Sequence, residues 1–248
     1  GFFYAGNEAS ILLVILTALI SKILWHKKLR ILYFLLGALS LFTALTITSK
    51  TSILGVLLVL ILIPIKRPKA DRINLKSFAK YSIAILALVP VLVWQIWKFI
   101  KTSEVYERFN HFWQELDLLT FIFSNRNTFL VHYWEIYTER YSFLDKVFGV
   151  GETQYNNYSP MGIIEIDIID ILFAQGVIGV LLFLFLLGFV YAQAKRFCMF
   201  PKYPYASFSL LMLILLFVVS CFTGHTFNSG MAGPFIGLSL ALMYKQED

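Results

Sequence analysis

The chain has 248 residues, is 58% hydrophobic and 17% aromatic, and carries a formal net charge of +6. A mean hydropathy of +0.73 is far above what a soluble chain of this length needs for its core, so the class is an all-α integral membrane protein. The positive charge is therefore a topology signal to be read loop by loop, and it does not indicate a nucleic-acid partner.

In chain order, apolar runs fall at about 8–25, 31–48, 51–65, 81–100, 169–193, 206–222 and 231–244. They predict about seven transmembrane helices, several of them short for the roughly 20 residues that a 30 Å hydrocarbon layer requires. Most of the 21 Lys and Arg lie in "SKILWHKKLR", "IKRPKADRINLKSFAK", "AKRFCMFPK" and at Lys245. These stretches alternate onto one face, and an excess of basic residues marks that face as cytoplasmic. The opposite, external face receives residues 1–6, the "TSKTS" turn, the long stretch 101–168 and "GHTFNSGMAGP". A chain that starts outside at "GFFYAGNEAS" without an initiator Met is expected to be the later part of a longer polytopic protein. Residues 1–248 form a single membrane domain, with 101–168 as a large external loop inside it.

That loop holds eight carboxylates between Glu104 and Glu152 and is rich in aromatic residues, so it is expected to fold against the outer leaflet. In "EVYERFNHFWQELDLLTFIF", Val105, Phe109, Phe112, Trp113 and Leu116 recur at helical spacing, predicting an amphipathic helix at the interface. "SNRNTFLVHYWEIYTERYSFL" predicts a second helix with Ser124 as N-cap. "VFGVG" then turns the chain, with Gly149 and Gly151 shaping the turn. Next comes "GIIEIDIIDILFAQGVIG", residues 162–179, in which Glu165, Asp167 and Asp170 immediately precede an apolar run. A charge at mid-membrane costs roughly 2.5 to 3.5 kcal/mol, so these acids belong at the water boundary or in a wet cavity. In a helix Asp167 and Asp170 share a face, whereas in an extended segment Glu165 and Asp167 do. Acids near a helix start also complement its dipole, the plainer reading for Asp170. Gly176 and Gly179 predict close helix approach.

Taken in order, five stretches resemble the O-antigen polymerase and ligase family, bacterial membrane enzymes that handle polysaccharides on undecaprenyl diphosphate. "GFFYAGNEAS" is similar to the start of a family membrane helix, and "TSKTSILGVLLVLIL" to its Ser-Arg pair before an apolar span. "SNRNTFLVHYWEIY" with "VFGVG" resembles the Arg, aromatic and Gly-x-Gly pattern of the family's large external loop. "EIDIIDILFAQGVIG" resembles the segment that follows it, and "TGHTF" a late external Gly-His. Two departures stand out. Where the family has Arg after Ser, this chain has Lys50, which keeps the charge but loses the planar bidentate grip on phosphate. The His common in the ligase branch is absent from "EID", which points towards the polymerase branch.

The resemblance implies a glycosyltransferase on the outer face of the bacterial cytoplasmic membrane. Its donor would be an undecaprenyl-diphosphate-linked oligosaccharide and its acceptor a lipid-linked sugar hydroxyl, with ligase-type transfer to another acceptor as the alternative. Membrane lipids and other polysaccharide export and assembly proteins are the implied partners, and neither cofactor, metal nor nucleic acid is implied. In such a transfer the departing lipid diphosphate gains negative charge, which fixed cations and backbone N–H groups would stabilise. Arg126, near a predicted helix start, and Lys50, on a tight external turn, are the candidates for binding that diphosphate. An interfacial cation also commonly meets lipid headgroups. The attacking hydroxyl must lose a proton, for which Glu165 and Asp167 are the candidate bases and His225 the next. His225 reads equally as a cap on an external turn. His111 and His132 read as loop-packing residues, and no His pair has a zinc spacing. A transporter or flippase of lipid-linked saccharides is the rival class. It would place charges within its spans, whereas here the spans are nearly free of charge and the polar residues gather outside them.

Overall fold

The computed structural model describes residues 6–47, 49–64, 120, 123, 126–158, 164–222, 224 and 226–246. The apolar run at 81–100 and, apart from Thr120 and Phe123, the amphipathic helix expected over 104–123 lie outside these residues, as do Ser124 and His225. Among the described residues the regular structure is helical, with no strand. The helices are α1 (Gly6–His26), α2 (Arg30–Ile47), α3 (Lys50–Leu62), α4 (Arg126–Arg140), α5 (Phe143–Phe148), α6 (Glu152–Asn157), α7 (Asp167–Phe197), α8 (Ala206–Phe222) and α9 (Gly233–Ala241). A 3₁₀ turn, Leu242–Tyr244, follows α9.

Three of these helices are long and apolar enough to cross a membrane: Asn7–His26, Arg30–Ile47 and Asp167–Phe197. Lys50–Leu62, Ala206–Cys221 and Gly233–Tyr244 are apolar but shorter. Six of the seven apolar runs read from the sequence therefore coincide with helices among the described residues.

The chain divides into two compact units, residues 9–117 and residues 1–8 with 118–248. In the first, small residues allow close packing. A Cβ added at Gly55 would come within 2.5 Å of Val14 Cγ2, and one at Gly37 within 3.1 Å of Leu60 Cδ1. Two buried polar side chains in these apolar helices find their partners inside the unit, as suits a lipid environment. Thr17 Oγ1 donates to Ser40 Oγ at 3.0 Å, and Tyr33 Oη donates to the Leu60 carbonyl at 2.5 Å.

The second unit is organised around a break in α7. Gly176 has φ 69° and ψ −171° in the middle of an otherwise helical run, a conformation that is essentially restricted to glycine. The break divides α7 into 167–175 and 177–197. The second part is 21 residues long, about 30 Å at the helical rise and close to the thickness of a hydrocarbon core. The "VFGVG" turn docks into this break. Gly149 and Gly151 have φ 80° and 82°, and the Gly151 N–H donates to the Ala174 carbonyl at 2.8 Å. A Cβ at Gly149 would lie 2.2 Å from that same carbonyl oxygen, and one at Gly176 would lie 2.4 Å from the Val147 carbonyl oxygen. The turn glycines and the helix glycine thus form a single contact, in which the carbonyl released by the break finds its hydrogen bond.

Around the first part of α7 packs a core of Tyr133, Ile136, Tyr141, Tyr155, Ile164 and Phe173. It joins α4, α6 and α7 and fixes the segment that leads into α7. Further along, Ser209 Oγ on α8 donates to the Ser239 carbonyl on α9 at 2.7 Å.

Candidate functional site

Residues 164–166 form no regular element, Ile166 alone having extended backbone as the N-cap, and α7 begins at Asp167. Glu165 therefore stands just outside the helix, and it has φ 63°. For a residue that carries a Cβ this left-handed conformation costs roughly 1 to 3 kcal/mol, so the surroundings must impose it. They do so through both the side chain and the main chain. Arg126, the first residue of α4, pairs its Nη2 with Glu165 Oε2 at 2.6 Å. Asn7 Nδ2 donates to the same oxygen at 3.0 Å. Beneath the main chain, a Cβ at Gly224 would fall 2.5 Å from Glu165 Cα, so only glycine permits this approach.

Arg126 is buried, at 7% exposure, and its Nη1 donates to the Phe123 carbonyl at 3.4 Å. The side chain of Glu165 is 35% exposed against 9% for that of Arg126. The cation is thus held inside, with the carboxylate as the more accessible partner. Such a charge-assisted contact is short and directional.

Asp167 has a different environment. It is fully buried, and its Oδ2 accepts the Thr226 N–H at 3.0 Å and the Phe227 N–H at 2.9 Å. Asp170, for which the sequence offered only the helix dipole, is also buried, at 7% exposure. Its Oδ1 accepts from the Tyr155 hydroxyl at 2.5 Å, and the same hydroxyl accepts the Ile164 N–H at 3.2 Å. Burial, reinforced by the Asp170 carboxylate, pushes the Tyr155 phenol well above its ordinary range, so it remains a proton-bearing donor. A further link starts from the first turn of α1, where Ser229 Oγ donates to Glu8 Oε1 at 3.1 Å and accepts the Ala232 N–H at 3.0 Å.

The structure brings Arg126 and Glu165 into direct contact and places Asp167 two residues along. Lys50 is the first residue of α3, within the unit formed by residues 9–117. His225 lies outside the described residues, between Gly224 and Thr226, which are held by contact with Glu165 and by Asp167 respectively. The sequence reading missed Asn7, Tyr155 and Gly224. Asn7 sits in the quoted "GNE" stretch, but its partner is 158 residues away. Nothing in the local pattern distinguished Tyr155 from the other loop aromatics. Chemically, the arrangement presents one accessible carboxylate, backed by a buried guanidinium and flanked by a turn whose amides are fixed by a second carboxylate.

A family model described as "O-antigen ligase like membrane protein" matches residues 97–244. No curated protein and no solved structure matches the chain.

Proposed function

The chain belongs to the O-antigen ligase like membrane protein family, and on that premise we propose that it transfers glycan from an undecaprenyl-diphosphate-linked donor to a sugar hydroxyl. The acceptor is itself lipid-linked, which makes the reaction a polymerisation, and it takes place on the outer face of the cytoplasmic membrane. About seven spans carry the site, and the loop 101–168 faces outwards. This orientation rests on the distribution of Lys and Arg.

In the reaction the acceptor hydroxyl gives its proton to a carboxylate, Glu165 or Asp167, with His225 as the further candidate. Its oxygen forms a bond to the anomeric carbon of the donor. The bond from that carbon to the diphosphate oxygen breaks, and its electron pair leaves with undecaprenyl diphosphate. Arg126 and Lys50 stabilise the charge that develops there. A guanidinium carries five N–H donors, so holding Glu165 and facing a phosphate are compatible roles for Arg126. The observation that carries this reading is the 2.6 Å contact between Arg126 and Glu165. It joins the two motifs that the transfer needs together, a cation for the leaving group and a carboxylate for the hydroxyl.

The test is incubation of the membrane-reconstituted protein with undecaprenyl-diphosphate oligosaccharide, followed by sizing of the products. A ladder of lengths supports polymerisation. Ligase-type transfer, favoured by the description of the matching family, gives a single addition to another acceptor instead. Recovery of intact donor on the far side of the vesicle, without any transfer, overturns both in favour of transport.

A further inference from the structure

Glu165, Asp167 and Asp170 lie close together in sequence, yet each is held by different groups. We infer that Glu165 is the proton acceptor, and that Asp167 and the Tyr155–Asp170 pair are positioning residues that hold it in place. This rests on the transfer reaction proposed above and resolves which of its candidate carboxylates does the chemistry.

Exposure separates them first. A base must come within hydrogen-bond reach of the hydroxyl it deprotonates. Asp167 is 0% exposed and Asp170 7%, whereas the Glu165 side chain is 35% exposed. Of the three carboxylates, Glu165 is the one whose side chain keeps a substantial surface open to solvent.

The bonding of the buried pair then explains what they do. Asp167 receives two consecutive backbone N–H groups, those of Thr226 and Phe227, on one oxygen. This pattern fixes a turn much as an anion is gripped by a main-chain nest. Two residues earlier, Gly224 lies directly against the Glu165 main chain. Gly224 and the amides of Thr226 and Phe227 are thereby fastened to 165–167. On the other side, the Ile164 N–H is held by the Tyr155 hydroxyl, which is in turn held by Asp170. The residues before and after Glu165 are both anchored, and its φ of 63° is the result. Strain of this kind persists only where the surroundings over-determine it.

In the step itself, the acceptor O–H bond breaks and its proton moves to the Glu165 carboxylate. The new bond from oxygen to the anomeric carbon forms as the bond to the diphosphate breaks, with its electron pair leaving on the lipid diphosphate. Glu165 then returns its proton to water. Asp167 takes no proton in this sequence.

The test uses the intact protein in nanodiscs and two readouts: hydrogen exchange of peptides spanning 224–230, and transfer from the lipid-linked donor. Because both amides fall on one oxygen, Asp167→Asn keeps a single carbonyl able to accept them, and Asp167→Ala keeps none. We expect Asp167→Ala to raise exchange about 10- to 100-fold at 226–227, and Asp167→Asn to stay within about threefold of the parent. In transfer we expect Asp167→Asn to stay within about tenfold of the parent with an unchanged pH profile, and Glu165→Gln to lose about 100- to 10,000-fold. If Asp167→Ala does not insert into the membrane, Asp167→Asn decides alone. A collapse of transfer in Asp167→Asn with native exchange shows that Asp167 is itself a base and overturns the inference. So does unaltered exchange in Asp167→Ala. Near-normal transfer in Glu165→Gln also overturns the inference, while leaving the proposed function standing with Asp167 or His225 as its base.

Discussion

The two parts of α7 on either side of Gly176 invert the usual relation between polarity and burial. Before the break, Asp167 and Asp170 are buried alongside Ile171, Phe173 and Ala174. After it, Leu181, Leu182, Phe185, Leu186 and Phe189 are all more than half exposed. In water this would be an inside-out helix. In a bilayer the exposed leucines and phenylalanines have lipid as their solvent, while the carboxylates need protein donors around them. The contrast is between two helical segments suited to different solvents, with the glycine break at the change-over.

The largest expected effect breaks the comparison at its polar end. Glu165→Gln keeps the shape of the side chain but neither its charge nor its basicity, and transfer is expected to fall about 100- to 10,000-fold with donor binding intact. Arg126→Lys keeps the charge behind it and loses the planar fork, for an expected loss of about 10- to 1000-fold. Initial rates and donor binding on the same preparations, checked for membrane insertion, separate the two effects.

Stability distinguishes the two parts directly. Phe173 is fully buried among Tyr133, Tyr137 and Tyr155, so Phe173→Ala is expected to destabilise the fold by about 3 to 5 kcal/mol. Leu182 is 64% exposed, a surface that would meet lipid in a bilayer, so Leu182→Ala is expected to stay within about 0.5 kcal/mol. Denaturation of both variants in the same mixed micelles gives the difference, and equal losses would show that the stretch after Gly176 is packed by protein.

At the break itself, Gly176→Ala adds a Cβ 2.4 Å from the Val147 carbonyl oxygen in a backbone conformation closed to other residues. A cost of roughly 1 to 3 kcal/mol is expected, with faster exchange of the Gly151 amide as the local sign. Unchanged stability would mean that the turn and the helix do not depend on each other.

The smallest effect concerns α5, the helix that leads into this turn. Ser142 and Asp145 form a capping box at its start, and the hydrogen bonds from Ser142 hold the Asp145 carboxyl below its ordinary range. A lowered folded-state pKa gives stability that is present above the unfolded pKa and lost as pH falls through the folded one. Exchange protection of α5 is therefore expected to decline towards acid pH, and Ser142→Ala to remove most of that dependence.

Local pattern made much of the fold legible. The apolar runs at 8–25 and 31–48 return as α1 and α2, and the helix expected after Ser124 returns as α4, starting at Arg126. Gly149 and Gly151 read as a turn and have positive φ, whereas Gly176 reads as a close approach between helices and is instead a break in α7, also with positive φ. What the pattern did not contain was that they touch one another. The acids show the same limit more sharply. Sequence reasoning paired them by face, Asp167 with Asp170 or Glu165 with Asp167, and in the structure each has a different partner. Glu165 takes Arg126 and Asn7, Asp167 takes the amides of Thr226 and Phe227, and Asp170 takes Tyr155. Periodicity reports which way a side chain points, but not what a distant part of the chain places opposite it.

The joint at Gly176 also has a mechanical meaning. Membranes differ in thickness, and a span adapts mainly by tilting. An unbroken helix of 31 residues would be about 46 Å long, so a change of tilt of about 10° would swing its first turn sideways by about 8 Å. With a break at Gly176, a change of tilt in the apolar portion need not carry the first part of α7 with it, because that part is fastened to the "VFGVG" turn.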